Sequence, residues 1–279
     1  MHPVIRLTQF FKNSPTLAVG SLIVTLAILI SIFSVYITPY ETTSLHILKR
    51  LQKPSKEFLL GTDHYGRDLL SRVLVGGRSS IALGIGAVCI GLILGVPIGI
   101  LTGYFGGKID EILMRLMDTL MSIPSLLMAL LILTALGGSM LNAMLAIGIV
   151  QAPRLARIVR SSTLSVKNEE FVLAARARGE SHRFIMFGEI LPNVLSPIVI
   201  EATIGIGFAM MIGAGLSYLG LGVQPPHADW GLMIRQSREY LFISPYPMLV
   251  PGVALAITIV GFNLFGDGLR DLIGEKTEI

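Results

Sequence analysis

The sequence predicts an all-α polytopic membrane protein with about six transmembrane helices and a two-helix loop between the fourth and the fifth. Three observations carry that prediction. The 279 residues are 52% hydrophobic and only 14% charged, whereas soluble domains run at about a quarter charged. The apolar residues lie in long charge-free runs and not at the spacing of a soluble core. Those runs, Leu17 to Ile37, Ser79 to Phe105, Thr119 to Pro153, Ala202 to Ala228 and Leu241 to Gly266, each reach the roughly 20 residues that a spanning helix needs.

Taken in order, residues 1–16 read as an amphipathic lead-in, with Arg6 and Lys12 set among Val4, Ile5, Leu7, Phe10 and Phe11. The first span, 17–37, is expected to remain as an anchor, because it is too long for a cleaved leader and ends on Thr38-Pro39-Tyr40. Residues 38–78 form an extracytoplasmic segment, and 79–273 form the membrane core. The run from Thr119 to Pro153 would be about 50 Å long as one helix, too long for a hydrocarbon layer of about 30 Å. Gly137-Gly138-Ser139 is the expected break. The predicted spans are therefore 17–37, 80–103, 119–136, 140–159, 194–216 and 248–267. Residues 274–279 make a short cytoplasmic tail.

Two spans carry rows of small residues at four-residue spacing: Gly91, Gly95, Gly99 and Gly103 in the second, and Gly205, Ala209, Gly213 and Ser217 in the fifth. Such rows let helix backbones approach closely, either in a movable bundle or in ordinary helix packing. Glu201 stands about two turns into the fifth span. A carboxylate there is costly unless it faces the bundle or a wet passage, so it is a candidate functional charge. After that span, Gln224-Pro225-Pro226 stops the helix, Asp229 is placed to cap a short surface helix, and Trp230 suits a headgroup-level anchor.

The formal charge of +4 is spread over loops flanking apolar helices and follows positive-inside asymmetry, so no nucleic-acid partner is expected. With both termini inside, the basic residues are biased toward the cytoplasmic segments, notably Arg154–Arg183. Cys89 is the single cysteine, and the five histidines fall in separate segments without ligand spacing, so neither a disulfide nor a metal site is expected. Paired acids, an H-E-x-x-H motif and matched Ser/His sets are absent, which argues against an intramembrane enzyme. A secondary transporter or channel would favour an internal repeat, and none is evident.

Residues 161–192 are the most informative. Asn168 is a candidate N-cap, Glu169 and Glu170 complement the helix dipole, Gly179 terminates, Ser181 caps the next helix, and Pro192 opens the fifth span. Phe171, Ala174, Ala175 and Arg178 share one helical face. That face suits either a groove in another protein or the ends of the chain's own spans.

Ala174-Ala175, Gly179 and Leu191-Pro192 resemble the cytoplasmic signature loop of permeases in ATP-binding-cassette importers. Leu173 stands where that motif usually has Glu, and Glu189 where it has Ile. Leu60 to Arg72 (LGTDHYGRDLLSR), Leu219 to Pro226 with Asp229-Trp230-Gly231, and Asn263 to Asp271 (NLFGDGLRD) resemble the dipeptide/oligopeptide/nickel branch, over about residues 58–273. The resemblance implies a bacterial inner-membrane, multi-pass permease that forms a passage with a second permease. It also implies two ATPase subunits, which hold ATP and Mg, and an extracytoplasmic binding protein. The ATPase contacts would be Glu170, Phe171, Ala174, Ala175, Arg178, Gly179, Leu191 and Pro192. The chain has no G-x-x-x-x-G-K-[ST] loop, in keeping with nucleotide held elsewhere.

Overall fold

The computed structural model describes residues 14–274; the lead-in over 1–13 and the tail beyond Gly274 lie outside the described residues. The architecture is helical: α1 (Pro15–Ile37), α2 (Leu69–Phe105), α3 (Gly107–Met121), α4 (Ser125–Leu136), α5 (Met140–Val166), α6 (Glu170–Ala177), α7 (Leu195–Leu219), α8 (Trp230–Ser237) and α9 (Tyr246–Gly274). The chain runs back and forth between two poles. One holds residues 38–68, the turn at 137–139 and residues 220–245. The other holds the α2–α3 turn, α6 with residues 182–194, and both described ends of the chain.

Four helices, α1, α2, α7 and α9, are long and apolar enough to cross a membrane, and α3 with α4 makes a fifth candidate bent by 91°. The expected third span, 119–136, is therefore two helices meeting at Ser122-Ile123-Pro124. Pro124 has no N–H to continue the ladder and disfavours helical backbone before it. Helix α5 travels between the same poles, but its second half carries Arg154, Arg157 and Arg160. The break at Gly137 falls where expected, with φ +84, and the Ser139 hydroxyl accepts from Asn142 N–H to cap α5.

The segment before the second span is shorter than expected, because α2 begins at Leu69 and not near residue 80. Asp68 caps it through Ser71 N–H at 2.8 Å. Arg72 does not end the apolar stretch. It is 1% exposed, donates to Thr42 O at 3.0 Å and faces Asp63, which also holds Arg67 Nε at 2.7 Å. Asp63 further accepts from the backbone of Tyr65 and Arg67. A buried carboxylate so engaged fixes this segment as a folded unit.

Both small-residue rows serve the chain's own packing. An added Cβ on Gly95 would meet Ala152 O at 2.7 Å, and one on Gly99 would meet Ala156 O at 2.5 Å, so α2 and α5 touch backbone to backbone. Leu83, Ala87, Ala129, Ala146, Ile147, Ala209 and Leu216 fill the core between α2, α4, α5 and α7. Gly266 and Gly268 on α9 lie against Ile204 and Leu17, which gives the NLFGDGLRD motif a packing role. Trp230 is not a lipid-surface anchor. It is 5% exposed, donates from Nε1 to Val73 O at 2.9 Å and packs on Gly77. Asp229 caps α8 through Leu232 N–H and accepts from Ser80 Oγ at 2.7 Å; burial pushes its carboxyl up from the usual carboxylate range.

Candidate functional site

The two-helix loop is built onto the ends of α2, α5 and α7. Val166 ends α5, so residues 161–166 of the expected loop are still part of that helix. Lys167 Nζ donates to Gly103 O at 3.1 Å, pinning the loop's start to the last turn of α2. Helix α6 begins after Glu169, one residue later than expected, and Glu169 caps with its extended backbone and not its side chain. At the other end Gly179 has φ +75. Its N–H donates to Arg176 O at 3.0 Å, and Glu180 N–H reaches Ala175 O at 3.2 Å. This is the Schellman closure, which a left-handed glycine makes without strain.

The expected shared face is split by the structure. Val172 and Ala175 are fully buried, packed with Ile100, Tyr104, Val159, Ile185, Met186 and Ile190, and half-buried Phe171 leans on the same cluster. Ala175 thus belongs to the chain's own core and offers no surface to a partner. The physical reason is the one-turn offset between Val172 and Ala175, which places both over the gap between α2 and α5. Facing away are Glu170, Leu173, Ala174, Ala177 and Arg178, an exposed strip of low relief.

The second helix starts at Ser181, whose hydroxyl accepts from Phe184 N–H. It continues as a wide turn, Ile185–Ile190, with i→i+5 bonding, and ends at Leu191–Asn193 before a break at Val194. Pro192 is exposed in that last turn, while Leu191 leans on the buried cluster. Arg178 Nη2 donates to Glu189 Oε1 at 3.3 Å, so the glutamate that replaces the usual Ile ties the two helices together. His182 Nδ1 meets Tyr104 Oη at 2.9 Å, and the Arg176 guanidinium lies 5.2 Å above the Tyr104 ring. The loop is a braced element standing on the bundle.

Inside the bundle Glu201 is 6% exposed and its Oε1 forms an ion pair with Arg154 Nε at 2.5 Å. Arg157 pairs with Asp118 at 2.6 Å, and Arg160 clamps Asp110 with two bonds of 2.5 and 2.6 Å. Sequence reasoning placed Glu201 at depth but missed its partner. The arginines were read as loop charges, although their three-residue spacing on a helix signals one face.

Comparison with known proteins decides the family. The family described as "binding-protein-dependent transport system inner membrane component" matches residues 95–279. The chain belongs to that family. Among the relatives of this inner membrane component, the dipeptide transport system permease protein DppC of Alkalihalophilus pseudofirmus is 41% identical across 95% of the chain and 87% of the relative. The glutathione transport system permease protein GsiD of Pectobacterium atrosepticum is 38% identical across 96% and 89%. In fold, the component is similar to a chain of the MetNI methionine ABC transporter solved in inward-facing conformations. The TM-score is 0.59 at 22% identity, covering 73% of this chain and 95% of that one. The component is a multi-pass protein of the bacterial inner membrane.

Proposed function

We propose that this inner membrane component is one permease subunit of an ATP-binding-cassette importer for short peptides. It lines a passage with a second, similar permease, receives solute from an extracytoplasmic binding protein, and is driven by two ATPase subunits that hold ATP and Mg. The observation that carries this reading is similarity of about 40% across almost the full length to permeases named for dipeptide and glutathione transport. The pole bearing α6 is the cytoplasmic one. The exposed strip of Glu170, Leu173, Ala174, Ala177 and Arg178, closed by Gly179 and flanked by exposed Pro192, enters a groove in the ATPase. Phe171 and Leu191 support the strip from behind, and Ala175 is withdrawn from the contact. A braced helix transmits a push because Lys167 and the Tyr104–His182 pair tie the loop to α2 and Glu189 ties its two helices together.

Ala174→Arg tests the reading, since it puts bulk and charge at the centre of the strip without touching the core. The variant is expected to insert and pair with the second permease while losing copurification of the ATPases and ATP-dependent uptake of dialanine in proteoliposomes. Wild-type ATPase binding and uptake in Ala174→Arg would overturn the docking site. Uptake by the wild-type complex that needs no ATP would overturn the importer assignment.

A further inference from the structure

Helix α5 carries a cation that the proposed coupling leaves without a task. Arg154 lies at the level where Gly95 packs on Ala152 and Leu155, well inside the charge-free run from Ser79 to Phe105. A guanidinium at that depth is stable only against the bundle interior or a wet cavity. Its side chain is 52% exposed in the chain alone, and its one ion pair among the described residues is Nε with Glu201. The terminal nitrogens are therefore available, and arginine offers donors only.

Beside it is a cavity of about 190 Å³ lined by Ile123, Ser125, Gln151, Arg154 and Phe208, at the elbow between α3 and α4. Gln151 is 6% exposed, and its amide nitrogen has no acceptor among the described residues. Buried amides normally have one, so this group marks a missing partner. The cavity has room for about six waters at 30 Å³ each, enough for one polar end group and not for a whole peptide. The Arg154 guanidinium, with the unpartnered Gln151 amide beside it, gives this space a preference for an acceptor oxygen.

Resting on the importer assignment above, we infer that Gln151 and Arg154 form a subsite on the passage wall for the acceptor end of the travelling solute, a terminal carboxylate or peptide carbonyl. Glu201 is a positioning residue that holds the guanidinium in place. The subsite gives a peptide a foothold partway through the apolar layer.

Gln151→Leu and Arg154→Lys in the reconstituted importer test this, because lysine keeps the charge beside Glu201 but loses the forked donors. Dialanine uptake is expected to fall about tenfold in each, the worth of one charge-assisted hydrogen bond, with no matching fall in binding-protein-stimulated ATP hydrolysis. A second measurement does not depend on transport. In a Cys89→Ser background, Ser125→Cys should react faster with an anionic thiosulfonate than with a cationic one, and adding Arg154→Gln should abolish that preference. Unchanged uptake in both variants, loss of pairing with the second permease, or labelling indifferent to reagent charge would each overturn the subsite. If the wild-type complex imports no dialanine while the labelling preference holds, the peptide assignment fails and the anion-selective cavity stands.

Discussion

Ala174 and Ala175 are adjacent, chemically identical, and opposite in consequence. Ala175 is sealed against Ile100, Tyr104 and Val159, so Ala175→Arg would drive a charge into a dry cluster and cost several kcal/mol. It should reduce the amount of folded protein recovered from membranes, an outcome that Ala174→Arg should not share. Gly179 separates two causes in the same way. A Cβ there would meet nothing within 4 Å, so the constraint is purely the backbone at φ +75. Gly179→Asn should be tolerated, whereas Gly179→Val should cost at least about 1–2 kcal/mol and loosen α6. Hydrogen exchange at Gly179 and Glu180, whose amides close the helix, reads that loosening directly.

Among the elements, the α2–α5 contact admits the least change. Gly99→Leu would push against Ala156 O and Val159 and should destabilise by roughly 1–3 kcal/mol or more. Gly252→Leu on α9 meets nothing within 4 Å and serves as the matched control. Thermal unfolding in detergent should show a clear drop for the first and almost none for the second; equal shifts would mean that helix propensity and not close approach sets the cost. Elements built on long charge-free runs were legible from sequence: α1, α7 and α9 start and stop within a few residues of expectation, apart from the longer, charged end of α9. The first turns of α2 were not, because Arg72 looks like a flank until Asp63 folds back to meet it. The second half of α5 was not, because its arginines are answered by acids 50 and 39 residues away. The face of α6 was half legible: periodicity groups Phe171, Ala174 and Ala175, but only the third dimension shows which side the bundle covers.

At the scale of the whole molecule, the two poles make the orientation testable. With Cys89 replaced by Ser, Lys56→Cys should react with an impermeant reagent in intact spheroplasts, and Leu173→Cys only after lysis. The reverse pattern would invert the protein in its membrane. The fold also sets a schedule. Helix α1 packs against α9 at contacts as close as Gly20 on Phe265 and Leu17 on Gly268, yet a ribosome releases these partners roughly 250 residues apart. At about 5–20 residues per second, α1 waits on the order of 12–50 s before these contacts can form. For that time the face that meets α9 is without its partner. The hydroxyls of Ser21 and Ser34 donate to carbonyls three residues back in their own helix, at 3.0 and 2.8 Å. Two hydroxyls of nascent α1 therefore find acceptors before any neighbouring helix exists, and Ser34 keeps its bond when the finished bundle buries it.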